Sequence, residues 1–327
     1  MKAGLSELPL WAVGLRDNGM NDPSFDLEER PHDVRDEYDQ VYEQPDPRAY
    51  YRILHGLDYR IPELAAPVFR NVINAITEYR ARRVKVLDLG CGFGINAALL
   101  RYSQDMDRLA HRCRDLDTGE ISSASVIEFD RNYFASWPPQ VDVDYIGFDI
   151  AEYPVTYAKT VRLVDDGFSR DLEFEDPEPE EIEMLSGTDL IISTGCAGYV
   201  TEATFERIFK AVDGPIPWLA IFVLRTEPFD TLSSYFEGRG LKVEKLEGVT
   251  FIQRRFHSSA EWTQALMTLE GQEIQTEGKE ADGLLHAEFY LIRPEAESKA
   301  HPLETIVSVS SGTEGTFGGW RGRPWGA

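Results

Sequence analysis

Basic residues are scarce in this chain: 33 Lys and Arg stand against 57 Asp and Glu, a formal net charge of −24 over 327 residues. A polyphosphate would meet a repulsive field, so no nucleic-acid partner is expected, although acidity by itself reports on solubility. Cysteine is scarcer still. Cys91, Cys113 and Cys196 are odd in number, widely spaced and without a CxxC pair. That argues against a disulfide framework or a structural zinc site and fits a reducing, cytoplasmic setting. No His, Asp and Glu cluster has metal-ligand spacing, so no metal is expected. Long apolar runs are missing too. The longest, 218–224, is far below the ~20 residues of a membrane span. Residues 1–15 contain Lys2, Glu7 and Pro9 and lack the apolar region and cleavage site of a signal peptide. Neither membrane nor secretion is expected, and nothing indicates an oligomer.

What is present is an ordinary globular composition, 42% hydrophobic and 28% charged, enough to bury a substantial core. Residues 1–48 are polar, acidic and broken by Pro23, Pro31, Pro45 and Pro47, which predicts a loose arm. From Tyr50 to Arg83 the pattern is helical: Pro62 and Pro67 can open helices, and Val68, Val72, Ile73 and Ile76 repeat on one face. The organisation expected is an arm and helical cap over 1–80, a Rossmann-like α/β domain over 81–293 with a cap insertion at 103–140, and a flexible Gly-rich tail over 294–327.

Within the α/β domain, strands are expected at 84–89, 143–149, 172–174, 189–193 and 218–224. Helices are expected between them at 96–102, 152–164, 201–211 and 230–237, with Thr201 and Asp230 as N-caps. Runs at 241–246, 250–256 and 284–292 predict antiparallel closing strands. A capping box, Ser258 with Glu261, opens a helix near 259–269. The stretch 103–140 holds about forty residues where α/β loops have ~2–6, so helices near 106–116 and 123–137 are expected inside it, the second stopped by Pro138 and Pro139. The fold class is thus an α/β three-layer sandwich, with a mostly parallel seven-stranded sheet, an antiparallel closing strand and a helical cap.

The chemistry is concentrated where the first strand runs into Asp88-Leu-Gly90-Cys91-Gly92-Phe-Gly94-Ile95-Asn96. Glycines allow a sharp turn and let a ligand lie against main-chain atoms where a Cβ would collide. A dinucleotide site requires its third glycine three residues after the second, and that position is Ile95, which counts against a nicotinamide oxidoreductase. The carboxylate of Asp88 suits a ligand with a positive amino-acid end better than a pyrophosphate.

The segment resembles the first motif of the class I S-adenosylmethionine (SAM)-dependent methyltransferases, an acidic residue followed by Gly-x-Gly-x-Gly. Three further segments follow in the family's order. Tyr145-Ile-Gly-Phe-Asp149 ends in a carboxylate that the resemblance assigns to both ribose hydroxyls, next to Ile150. Two adjacent lone-pair-rich oxygens match a vicinal diol. Arg170-Asp171-Leu172 lies where the family places an adenine-contacting polar and apolar pair, and Thr188 to Cys196 resembles its fourth strand, whose end faces the sulfonium and the substrate. The resemblance covers approximately residues 80–294. It implies a cofactor, SAM, held by Asp88, Gly90, Cys91, Gly92, Gly94, Asn96, Asp149, Ile150, Asp171, Leu172 and Thr194. Bland alternatives remain for several of these: Asp149 as a helix N-cap, Asp171 as part of a solvated acidic stretch, Cys91 as a small residue that fits.

Methyl transfer from a sulfonium depends on positioning, so a strong base is not required. Tyr199, as an orienting or acid/base group, and Cys196 are the catalytic candidates. Ser193 shares their edge, and the alternative is that Gly195 to Gly198 is simply a tight turn. Tyr38, Tyr42, Tyr50, Tyr51, Tyr59 and Tyr133 form a dense set from which one or two could face the sulfonium. Arg52 and Arg70 are weaker candidates for a carboxylate, and His257 and His286 read as sheet residues. The leading expectation is a methyltransferase acting on a small polar or amino-acid-like metabolite. The alternatives are a cyclase or lyase that consumes SAM and releases methylthioadenosine, and a non-catalytic SAM-binding protein.

Overall fold

From residue 84 to residue 224 strand and helix alternate, and each crossover returns the next strand parallel to the last. A computed structural model describes residues 40–102 and 104–307. The expected arm up to residue 39, Tyr38 included, and the Gly-rich stretch from residue 308 lie outside the described residues. The strands are β1 (Val84–Leu89), β2 (Val143–Asp149), β3 (Asp166–Ser169), β4 (Leu190–Thr194), β5 (Trp218–Leu224), β6 (Leu241–Lys245), β7 (Phe251–Arg255) and β8 (Leu284–Pro294). They form one sheet in the order β3-β2-β1-β4-β5-β8-β6, with β7 also paired to β8. β1 to β5 run parallel, and β8 is antiparallel to its neighbours. The sheet is therefore the Rossmann-like, mostly parallel one expected, with a difference in count. Its last position holds two collinear strands, because β8 is long enough for β7 to pair with residues 284–287 and β6 with residues 290–294.

β1 has β2 on one side and β4 on the other. Crossovers therefore leave it in opposite directions and open a crevice at the carboxyl ends of these strands, where open α/β sheets bind ligands. Side-chain alternation divides the core. Val84, Val86, Leu190, Ile192 and Phe222 pack on one face with the helix Ile61–Arg80. Leu87, Leu89, Ile191 and Ile221 pack on the other with the helices Glu202–Ala211 and Asp230–Gly238.

Several local expectations are corrected. The helix Ile61–Arg80 opens at Pro62 but runs on through Pro67, whose ring lies on the exposed side. Asp230 is the first helical residue, following Phe229, and acts through its charge in the first turn rather than as a cap. The helix Glu152–Thr160 stops short of residue 164, because Arg162 takes a positive φ of 64°. The helix Ser123–Ala135 ends before Trp137. Ser258 caps the helix Ser259–Gly271, but the Glu261 carboxylate accepts from His257 N–H and pairs with Arg254 instead of completing the box.

Residues 295–307 are not a flexible tail. They form the helices Glu295–Ala300 and Leu303–Ile306, held because Leu303, Ile306 and Val307 bury themselves in the core and Glu297 accepts from the Trp218 indole at 2.5 Å. The insertion forms Met106–Leu116 and Ser123–Ala135. They pack with the helix Arg48–Gly56 around a water-sized cavity that Phe93 and Ile95 of the glycine segment also line.

Candidate cofactor site at the carboxyl ends of the central strands

β1 ends at Leu89, and Gly90, Gly92 and Gly94 all take positive φ, 75°, 49° and 76°, a region in which a Cβ is strained. At Gly90 space is as demanding as torsion, since a Cβ would lie 2.6 Å from Cβ of Cys196. The turn after β4 can therefore lie against the turn after β1. At Gly92 the neighbour is aromatic, with Tyr42 Cε1 at 3.3 Å from the Cβ position. From Gly94 the chain enters the helix Ile95–Arg101, whose N-terminus has no side-chain cap.

Asp88 does not reach the exposed face of this turn, which corrects its expected role at a ligand's cationic end. Alternation along β1 places it on the same face as Val86, under the helix Ile95–Arg101, and it is fully buried. One oxygen accepts from Asn96 Nδ2 at 3.0 Å and the other from the Tyr145 hydroxyl at 2.9 Å. Burial pushes its pKa up to about 7, against the pull of those two hydrogen bonds. Asn96 Oδ1 accepts from the Thr194 hydroxyl at 3.1 Å. Asp88, Asn96 and Thr194 thus form a polar chain joining β1, the helix start and the end of β4. Asp88 and Asn96 are buried in it, and Thr194 is half-buried at the strand end.

Asp149 ends β2 beside the glycine turn. Gly92 N–H donates to one oxygen at 2.8 Å and Ala151 N–H to the other at 3.0 Å. The helix Glu152–Thr160 takes Ala151 as its cap residue, with no side-chain bond, so the N-cap alternative for Asp149 does not hold. Burial raises its pKa, opposed by the backbone donors of Ala151, Gly92 and Ile150. Ile150, 68% exposed, stands at the rim.

The third expected segment is displaced. β3 is Asp166–Ser169, not 172–174. Arg170 pairs with Glu175, Glu178 and Glu181 and folds the acidic stretch back on itself. Leu172 is consequently buried in the apolar cluster with Phe168 and Leu185. Asp171 closes its own turn, accepting from Glu173 N–H at 3.1 Å.

Beyond β4, Cys196 packs on Gly90. Burial, then the nearby Asp149, pushes its thiol far above the usual range, and burial does the same to Cys91. Both shifts favour the neutral thiol, and Cys196 is half-buried against the glycine turn. Ser193 points to the opposite face and is fully buried. Tyr199 N–H donates to Cys196 O at 2.9 Å, and its side chain is 71% exposed at the edge.

Of the described tyrosines, three gather near this edge. Tyr42 stacks on Phe93 and meets Tyr50 edge-on, while the Tyr59 hydroxyl donates to Thr194 O at 3.4 Å. Tyr51 and Tyr133 lie in the insertion's packing instead. Arg52 pairs with Asp117, and Arg70 donates to the carbonyls of Leu99 and Leu100, so neither serves the site. His286 is a buried β8 residue whose pKa burial lowers to about 4, whereas His257 follows β7 in the turn before the next helix.

Sequence reasoning missed Gln253. A β-bulge in β7 at this residue turns its amide towards Gly195, where Nε2 lies 3.0 Å from a would-be Cβ, and its buried Oε1 has no hydrogen-bond partner among the described residues. No motif announces such a contact, because the bulge depends on pairing with β8. No cluster of three or more His, Cys, Asp or Glu able to hold a metal occurs among the described residues, and no helix of the described residues is long and apolar enough to cross a membrane.

No family model and no curated protein matches this sequence. Solved structures similar to it include a TehB-like SAM-dependent methyltransferase from Corynebacterium glutamicum, 16% identical, covering 70% of this chain and 96% of that one with a TM-score of 0.33. Magnesium protoporphyrin IX methyltransferase from Synechocystis with bound SAM is 12% identical, covering 79% and 90% with a TM-score of 0.36. A putative RNA methyltransferase from Pyrococcus horikoshii is 12% identical, covering 72% and 87% with a TM-score of 0.37. Likenesses of this strength are too weak to assign a reaction. The fold itself is read from the chain's own strand pairing, β3-β2-β1-β4-β5-β8-β6 with an antiparallel β8: a mostly parallel Rossmann-like sheet.

Proposed function

We propose that this chain is a SAM-dependent methyltransferase acting on a small polar or amino-acid-like metabolite. The observation that carries the proposal is Asp149, a carboxylate at the end of β2 tied to the Gly92 amide at 2.8 Å. That carboxylate lies directly beside a turn whose three glycines carry no side chain, and we read it as the diol acceptor. The residues present fit an adenosyl amino acid. The glycines leave the main chain open to close contact, Asp149 keeps further lone pairs for a ribose, and Tyr42 and Tyr59 offer aromatic faces on the opposite side.

When bound, SAM supplies a methyl group on an electrophilic sulfonium. The chain's task is then to hold an acceptor atom in line and exclude water, which alone lowers the barrier by several kcal/mol. Tyr199, on the turn after β4, is assigned the orienting role towards the acceptor, and Thr194 is assigned to fixing the strand end through Asn96. The surplus of 57 acidic over 33 basic residues favours a small substrate over a polyanion.

Titration calorimetry with SAM tests the first half: no heat from a folded sample ends the proposal. Incubation with SAM and a small-metabolite extract tests the second. S-adenosylhomocysteine as product supports methyl transfer, methylthioadenosine assigns the self-consuming cyclisation or elimination instead, and binding without turnover assigns a non-catalytic SAM-binding protein.

A further inference from the structure

Tyr42 belongs to none of the glycine or carboxylate motifs, yet it is the side chain that faces Gly92, with Cε1 3.3 Å from the position a Cβ would take. The ring lies over the backbone surface that the glycine keeps bare. Phe93 stacks on it at 6.3 Å and Tyr50 meets it edge-on at 6.1 Å. Its hydroxyl lies in the electrostatic neighbourhood of Asp149, Tyr59, Tyr199 and Cys196, and burial holds it protonated.

Two points hold the chain around Tyr42: Val41, 3% exposed in the apolar core, and Asp46. Asp46 is 4% exposed and takes Nε and Nη2 of Arg48, each at 2.9 Å. Arg48 Nη1 also donates to the carbonyls of Leu116 and Ile121 at 3.2 and 3.0 Å. Residues 46–48 are thereby bolted to the insertion. N-terminal to that bolt, Gln44 N–H donates to Val41 O and Gln44 Nε2 to Gln40 O, both within the segment.

A ligand lying on the turn needs van der Waals separations of about 3.5 Å on each of its faces, more than the gap at Gly92 provides. We propose that Tyr42 is the outer wall of the cofactor site. Between the Val41 and Asp46–Arg48 anchors its side chain swings away as SAM arrives, then closes its ring on the ligand that the glycine turn supports from beneath. The proposal rests on the SAM-binding function above. The aromatic face suits the ligand's cationic end, and closure of a wall on bound ligand excludes water from the reacting atoms.

The test uses the full chain and S-adenosylhomocysteine as probe, with association and dissociation followed by surface plasmon resonance. In Tyr42→Ala both rates rise: dissociation at least tenfold, association about twofold or more, because the wall no longer has to move. Tyr42→Phe keeps the ring and stays within about threefold of the parent in both. A purely structural role for Tyr42 would weaken binding without speeding association, and that result, or unchanged rates, overturns the proposal. Hydrogen exchange of the unmodified protein provides a measurement independent of the variants' folding. The probe slows exchange across residues 41–45 more than across the helix Arg48–Gly56; equal or no protection overturns the proposal. If the unmodified protein fails to bind the probe at all, it is the SAM-binding function that falls, an outcome distinct from binding with Tyr42 uninvolved.

Discussion

The Gly92 amide donates to the Asp149 carboxylate across 2.8 Å, so the glycine turn and the end of β2 brace each other. Asp149→Ala removes that brace and the proposed diol acceptor together. The expected loss of SAM affinity is about 10–100-fold, the worth of charge-assisted hydrogen bonds of ~1.5–3 kcal/mol. Calorimetric titration measures it, and affinity within twofold of the parent would refute the role. Because burial raises the Asp149 pKa, its ionised form is lost at a higher pH than an ordinary carboxylate's. Affinity should decline as the pH falls through that raised value, and Asp149→Asn should remove the decline.

Gly90 and Cys196 form a second test, one of packing. A Cβ at Gly90 meets Cβ of Cys196 at 2.6 Å and imposes strain at φ +75°. Gly90→Ala should destabilise the fold by about 2–4 kcal/mol, combining positive-φ strain with an overpacked contact. Adding Cys196→Gly should recover the steric part but not the torsional part. A double-mutant cycle by urea unfolding checks this; additive effects would show that the two turns do not touch.

Asp88 links stability to pH. The folded carboxyl keeps its proton up to about pH 7, against a reference value of 3.8, so in between the folded state binds more protons than the unfolded chain. The associated stability is fully present below the unfolded value and is lost as pH rises through the folded one. Asp130, Asp149 and Glu280 are shifted in the same direction, so the test is a difference measurement. Urea melts between pH 4 and 8 should show a shallower decline for Asp88→Asn than for the parent, with the gap widening towards pH 8. Parallel curves would refute the assignment.

Arg293 is fully buried, donating from Nε to Glu244 at 2.7 Å and from Nη2 to His301 O at 2.6 Å. Its guanidinium lies 4.5 Å from the Trp218 ring centroid. Arg293→Ala leaves Glu244 without its buried partner, and about 3–5 kcal/mol of stability should be lost. Residues 295–307 should become the first site of proteolysis. Arg293→Lys should not rescue, because an ammonium cannot reproduce the planar fork and the stacking. Unchanged melting with an intact C-terminal peptide pattern would count against this picture.

The sequence made some elements legible and hid others for identifiable reasons. β1, β2 and β5 stand out because buried parallel strands are short, dense apolar runs with turn residues at their ends. β3 was misplaced because Asp166–Ser169 carries a single large apolar residue, Phe168, while Leu172 and Phe174 made a more apolar run that the Arg170 ion pairs bend into a turn. The helices after residue 294 were hidden by the glycine-rich stretch that follows them. At the site, a glycine's torsional need is local, so Gly90, Gly92 and Gly94 could be found from sequence alone. Tyr42 and Gln253 lie 50 residues before and 58 residues after Gly92 and Gly195 respectively, and only tertiary packing brings each pair together. The residue type at Asp88 was visible in the sequence, but its burial was not: it depends on which side of β1 the following helix covers.

The division of β8's outer flank between β6 and β7 has a consequence for how copies of this chain meet. A sheet ends in unpaired amides and carbonyls, and a long flat end templates the strands of other molecules. Here one end is β3, only four residues long, and the other is split into two five-residue pieces interrupted by residues 246–250. Neither offers an uninterrupted rail for a foreign strand. By that rule the break in pairing shortens the template that these described strands present to another chain.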